Sequence, residues 1–273
     1  LKPPSIYVPY NNAEINYNSL QATMKGRIKQ LTLDLHYTWA HEIDDAGDLA
    51  VGGNQPQDYN NLAAERSNGT QDQRENFNYN LTYDIPMGAR FGFLGSSAKP
   101  LRMLASGWSV NSLGIFTTGT FFNVTQSLNT YGNSNTVNQR PNLNPGVPKY
   151  LPKTFLSNGN VSFLNSAAWS YPTAYSAANP ANGKFGNSPR NAVHGPHFTD
   201  VDMSLRKSTK IGDHQQLDFR AEFFNILNHP NFAPPVVAYA PPPAIFGQIN
   251  STFGGTVGFG TSRNIQFALK YIF

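Results

Sequence analysis

Large apolar residues recur at every second position along most of this chain, a period that predicts strands with two chemically different faces. In FNYNLTYDI (77 to 85), Phe77, Tyr79, Leu81, Tyr83 and Ile85 alternate with Asn78, Asn80, Thr82 and Asp84. LTLDLHYTW (31 to 39) sets Leu31, Leu33, Leu35, Tyr37 and Trp39 against Thr32, Asp34, His36 and Thr38. QLDFRAEFF (216 to 224), DVDMSLR (200 to 206) and SLQATMKGRI (19 to 28) repeat the pattern. So does the closing RNIQFALKYIF, where Ile265, Phe267, Leu269, Tyr271 and Phe273 form one stripe. GWSVNSLGIFTTGTFF (107 to 122) is strand-like, but its phase is left open because apolar residues fall on both faces. The pattern predicts about seven strands.

Their connections alternate in length. Ile28 to Leu31 and Ile211 to His214 are tight turns, and Ile85 to Trp108 is intermediate. The connections at about 44 to 75, 125 to 198 and 228 to 262 are long and rich in Gly, Asn, Pro and Ser. In an up-and-down meander, alternate connections lie at opposite ends of the sheet, so every long one falls at one end. Long structureless loops are uncommon in compact soluble domains, whereas transmembrane β-barrels combine short periplasmic turns with long external loops. The expected fold is therefore all-β: an antiparallel up-and-down transmembrane barrel segment of about seven strands, part of a larger barrel.

A half-buried soluble sheet needs a second layer over its apolar face, and no helical-period segment is long enough to supply one. In a barrel that face meets lipid and the other lines the lumen. Asp34, Asp84, Asp202, Arg206, Asp218, Arg220, Glu222 and Lys270 are the expected lumen-facing residues, with Arg206 across from or diagonal to Asp218 through the Gly212-Asp213 turn. Trp39, Phe77, Tyr83, Trp108, Tyr271 and Phe273 sit near strand ends, where aromatic rings favour the headgroup region.

Composition narrows the picture further. Charged residues make up 13% of the chain, about half the usual share. Lys and Arg number 20 against 16 acids without basic runs, so no nucleic-acid partner is expected. Mean hydropathy is -0.41 and no stretch reaches the roughly 18 to 20 apolar residues of a membrane helix. With no cysteine, thiolate chemistry is absent. His41-Glu42 lacks the second histidine of a zinc-protease motif, since Asp45 stands there. Asp44, Asp45 and Asp48 do not match calcium-loop spacing, and His194 and His197 lack a third ligand. The GGTVGFG run (254 to 260) precedes a strand rather than a helix and reads as a connector. No catalytic residue, metal or cofactor is expected. In the long loops, Tyr131, Asn138, Arg140, Trp169, Tyr171, Tyr175, Phe232 and Tyr239 are placed either to contact a ligand or to pack the loops together.

EFFNILNHPNF (222 to 232), followed by a Gly-rich loop and SRNIQFALKYIF, resembles the last two strands of TonB-dependent outer-membrane receptors. NYNSLQATMKGRI, LHYTWAHEIDDAG, GWSVNSLGIFTTGTFFNV and FGNSPRNAVHGPHFTDVDMSLRKSTKIGD resemble the receptors with a carboxypeptidase-regulatory-like N-terminal domain. The resemblance implies that residues 1-273 are the C-terminal part of a 22-stranded barrel, with plug domain and TonB box upstream of Leu1. It also implies a Gram-negative outer-membrane location and import of a small molecule, oligosaccharide or metal chelate. The partners it implies are outer-membrane lipid, the TonB complex through the missing N-terminal part, and the barrel-assembly machinery. That machinery would read Ile265, Phe267, Leu269, Tyr271 and Phe273. Two other readings stand beside it: a soluble all-β carbohydrate-binding or adhesion module, and a small pore closed by oligomerisation.

Overall fold

The computed structural model describes residues 13–45, 56–87, 98–132, 139–179, 182–211, 214–240, 245–254 and 262–273. Asp48, Asn138, the Gly212-Asp213 turn and most of the 254 to 260 run lie outside them. Seven long strands dominate: β1 (Ile15–Ile28), β2 (Leu31–Asp44), β3 (Glu75–Asp84), β4 (Trp108–Thr117), β5 (Phe198–Lys210), β6 (Gln216–Phe224) and β7 (Asn264–Ile272). Each is hydrogen-bonded antiparallel to its neighbours in sequence, giving one meander in the order β1 to β7, with Ser67–Asn68 adding a short eighth strand beside β2. Among the described residues, β1 and β7 each keep one unpaired edge.

Backbone register decides the faces, because partners across an antiparallel pair point the same way. Leu20, Met24 and Ile28 of β1 fall with Leu31, Leu33, Leu35, Tyr37 and Trp39 of β2 on one face. Phe77, Tyr79, Leu81 and Tyr83 continue it in β3, and Val110, Leu205, Ala221 and Phe267 carry one of its rows across to β7. Among the described residues, no other layer covers this surface at its two ends: Leu20, Met24 and Ile28 are exposed, and Phe267 and Leu269 are 68% and 69% exposed.

The packed core lies elsewhere. Val124, Val161, Phe163, Leu164, Ala168, Trp169, Val193, Phe246 and Ile249 form it, all in the connections after β4 and β6. Two-residue pairings tie these loops together, including Val161–Ser162 with Gln248–Ile249 and Thr125–Gln126 with Ala238–Tyr239. All three long connections leave from one end of the sheet, where this lobe sits. The short turn Lys29–Gln30 and the strand ends at Asp84, Trp108, Lys210 and Gln216 lie at the other, with the 85 to 107 link joining two of them. That link holds α1 (Lys99–Ala105), which the strand pattern did not predict; Pro100 sits in its first turn, where a missing N–H costs nothing.

Candidate functional site

The polar face of the sheet is a continuous ladder. Asp34, Asp84, Asp202, Arg206, Asp218, Arg220, Glu222 and Lys270 all fall on it by register. Asp34 meets Lys25 Nζ at 3.2 Å and His36 Nε2 at 2.7 Å. Arg206 Nη2 donates to Asp218 Oδ2 at 2.8 Å, across the diagonal, since the residues directly opposite are Arg220 and Ser208 respectively. Arg220 lies 3.3 Å from Glu222, and Lys270 stands opposite Asp218. Asn111 Nδ2 donates to Asn80 Oδ1 and Thr82 Oγ1, filling the middle strands with amide and hydroxyl contacts. Two apolar residues, Leu113 and Ile115, lie on this polar face, which is why the phase of β4 could not be read.

On the apolar face Tyr79 and Ser112 satisfy their polar atoms within the sheet, as a hydrocarbon environment demands. Tyr79 Oη lies 3.1 Å from Ser112 Oγ, which donates to Asp202 O at 3.1 Å. The Tyr79 ring rests over Gly114, where a Cβ would collide with Tyr79 Cε1. Lys207 is the one cation at an apolar-face position of β5. It is buried under the end of α1, where its ammonium donates to the carbonyls of Met103 (2.7 Å) and Ser106 and lies 5.7 Å from the Trp108 ring. Tyr83, Trp108, Tyr271 and Phe273 gather toward the short-turn end, with the last two rings stacked at 5.8 Å; Trp39 and Phe77 lie toward the lobe.

In the lobe, sequence reasoning missed the dominant feature, a set of buried ion pairs. Arg140 clasps Glu65 with two hydrogen bonds, Nη1 to Oε2 at 2.7 Å and Nη2 to Oε1 at 3.0 Å, and its Nε donates to Ser188 O. Gln57 accepts from Arg140 N and donates to Gly186 O. Arg190 Nη2 bonds the carboxylate of Asp44 at the end of β2, and its Nε donates to Glu65 O. Asp72 holds Arg74 Nε at 2.9 Å and faces His41 Nδ1 at 3.2 Å. These contacts bind the first and second long connections to β2.

Of the loop residues placed either to contact a ligand or to pack, Arg140 and Trp169 take packing positions. Arg140 is 1% exposed and Trp169 is 2% exposed, so neither offers a surface to a ligand. Arg140 is consumed by Glu65, and Trp169 packs edge-on against Phe246 at 5.3 Å. Tyr131 and Tyr175 are exposed, but Tyr131 stacks on Phe185 at 4.0 Å and Tyr175 crowds Gly132. Tyr171 Oη donates to Tyr239 O, and Phe232 lies 5.6 Å from Lys153 Nζ. Burial pushes the Tyr239 phenol up, which keeps it protonated as donor to Trp169 O. Among the described residues, no group of three or more His, Asp and Glu is placed to hold a metal ion.

A protein-family description, the outer membrane beta barrel domain, matches residues 4–266. No curated protein and no solved structure matches the chain.

Proposed function

The chain belongs to the outer membrane beta barrel domain family and resides in the outer membrane, and from that premise we propose that it forms the last seven strands of a TonB-dependent receptor that imports a solute. The observation that carries the reading is the open meander. Among the described residues the outer edge of β1, a strand of fourteen exposed residues, and that of β7 are unpaired, and both call for further strands. In hydrocarbon an unpaired strand edge leaves its N–H and C=O groups unsatisfied, so the sheet must close on something. The resemblance over nearly the whole chain supplies the occupant: strands and a plug domain encoded upstream. On this reading the polar ladder lines the lumen, and the lobe of long connections stands outside the cell. The role is non-enzymatic. The alternating stripe Ile265, Phe267, Leu269, Tyr271 and Phe273, on a strand with one edge free, serves as the signal for the barrel-assembly machinery.

Capture by the periplasmic domain of TonB tests this. The full-length protein, extracted from outer membranes in detergent, should bind that domain one to one and lose it when the segment upstream of the plug is deleted. A protein with no plug-like domain upstream and no TonB binding refutes the reading. The two free edges favour a second reading, a pore in which β7 of one copy pairs with β1 of the next. Cross-linking that yields a closed ring of identical chains would establish it.

A further inference from the structure

Where the first and second long connections meet the end of β2, a cleft of ≈ 580 Å³ opens. Its size is that of a site for a small molecule of one or two rings. Two kinds of group converge on it. Phe121 and Tyr150 supply rings, with the His194 imidazole 4.9 Å and the Arg74 guanidinium 5.8 Å from Phe121, and the Lys149 ammonium 5.9 Å from the Tyr150 ring. The pairing of Phe121–Phe122 with Val193–His194 turns Val193 into the core, and so leaves Phe121 and His194 for the cleft. Arg66, Lys149 and Arg190 supply positive charge, and no Asp or Glu lines the cleft among the described residues.

The three cations are not equivalent. Arg190 is neutralised by Asp44, and Arg66 lies 3.7 Å from Glu14. Lys149 Nζ donates to Ala192 O at 2.7 Å and has no acid within ion-pair distance among the described residues. Three lining side chains also keep buried polar atoms without a partner: Arg190 Nη1, Asn191 Oδ1 and His194 Nε2. Arg190 and Asn191 are each 2% exposed. Buried donors and acceptors are satisfied in the great majority of native sites, and these three atoms are the exceptions among the residues that line the cleft. Burial pushes the Tyr150 phenol up, so it remains a neutral hydroxyl that accepts from His194 N at 2.8 Å and has its own proton to donate.

We propose that this cleft binds an acidic saccharide of one or two rings: the apolar face of the sugar stacks on Phe121 and Tyr150, and its carboxylate pairs with Lys149. A neutral sugar would leave Lys149 without its counter-charge, and a bare anion such as phosphate would make no use of the Phe121 and Tyr150 rings. The proposal rests on the external placement of the lobe given above. It covers two sources of the same chemistry, a free uronic-acid oligosaccharide and the acidic sugars of a lipopolysaccharide headgroup.

Calorimetry on the full-length protein in detergent tests it, with digalacturonate and its neutral counterpart galactobiose as probes. A charge-assisted contact implies that digalacturonate binds about 10- to 100-fold more tightly than galactobiose. Lys149→Gln should abolish that preference, Lys149→Arg should restore it, and Phe121→Ala should weaken both sugars. Unchanged heat-modifiable migration in gels shows that each variant is folded. Equal binding of both sugars, no saturable binding, or an unaltered preference in Lys149→Gln overturns the proposal. Purified rough lipopolysaccharide serves as competitor: displacement of digalacturonate assigns the site to the envelope, and absence of displacement assigns it to free solute. Either result leaves the acidic-sugar chemistry standing. Binding by a protein that fails to engage TonB would keep the site and remove the transport reading; TonB engagement without sugar binding would do the reverse.

Discussion

Replacing Glu65 with Gln preserves size and removes one charge from the buried pair that joins the first and second long connections. Arg140 and Glu65 are both 2% exposed at their side chains, and the guanidinium makes two bonds to the carboxylate. Glu65→Gln therefore strands a guanidinium in a site closed to water. Breaking one partner of a buried pair costs about 3–5 kcal/mol. At about 1.4 kcal/mol per factor of ten, local opening of the lobe should rise by roughly two to three and a half orders of magnitude. The strands hold their own hydrogen bonds, so this loss should be confined to the lobe. Limited proteolysis of the whole protein in detergent reads it: cleavage within 139–179 should accelerate by that factor if opening is fast relative to cleavage. The temperature at which the barrel loses its heat-modifiable gel shift should stay put. Glu65→Leu combined with Arg140→Met should recover much of the protection, because no charge is then buried alone. Unaltered proteolysis in Glu65→Gln, or equal loss in lobe and barrel, would refute the reasoning.

The remaining predictions concern the sheet. Leu81→Arg, on the apolar face of β3, should cost about 2–4 kcal/mol in urea titrations of the protein in lipid vesicles, while Asn80→Arg, one residue away on the polar ladder, should cost far less. Gly114→Val should lower stability by displacing the Tyr79 ring and its bond to Ser112, and Tyr79→Ala in the same chain should relieve part of the loss. Lys207→Met should loosen α1 by removing the donor to the Met103 and Ser106 carbonyls, seen as faster hydrogen exchange over 99–106 with β6 and β7 unaffected.

The strands were legible because each carries its own period. β6 spans the predicted 216 to 224, and β7 lies within one residue of its predicted limits. β1 begins earlier than its pattern, at Ile15, because Asn18 and Ser19 interrupt the alternation. Ile15 and Tyr17 then fall on the polar face opposite Asp44 and Glu42. β4 had no readable phase because the apolar face needs Gly114 and Ser112 beneath the Tyr79 ring, a cross-strand requirement invisible within its own ten residues. The aligned charges of the ladder follow from period alone, and so did the Arg206–Asp218 pair. The lobe is a different case. Glu65 and Arg140 are 75 positions apart, and Asp44 and Arg190 are 146 apart. No local pattern marks such partners, so sequence alone leaves Arg140 and Trp169 open between ligand contact and loop packing.

The account stands on the division of the sheet into a lipid face and a water face, and the terminal strand is the place to measure it. The chain has no cysteine, so single cysteines placed at 264 through 272 can each carry a spin label once any cysteine in the rest of the protein is replaced by serine. In outer-membrane vesicles, oxygen should relax labels at 265, 267, 269 and 271, and a water-soluble nickel chelate should relax those at 266, 268 and 270. A flat profile, or odd positions shielded from both reagents by protein, would contradict the division.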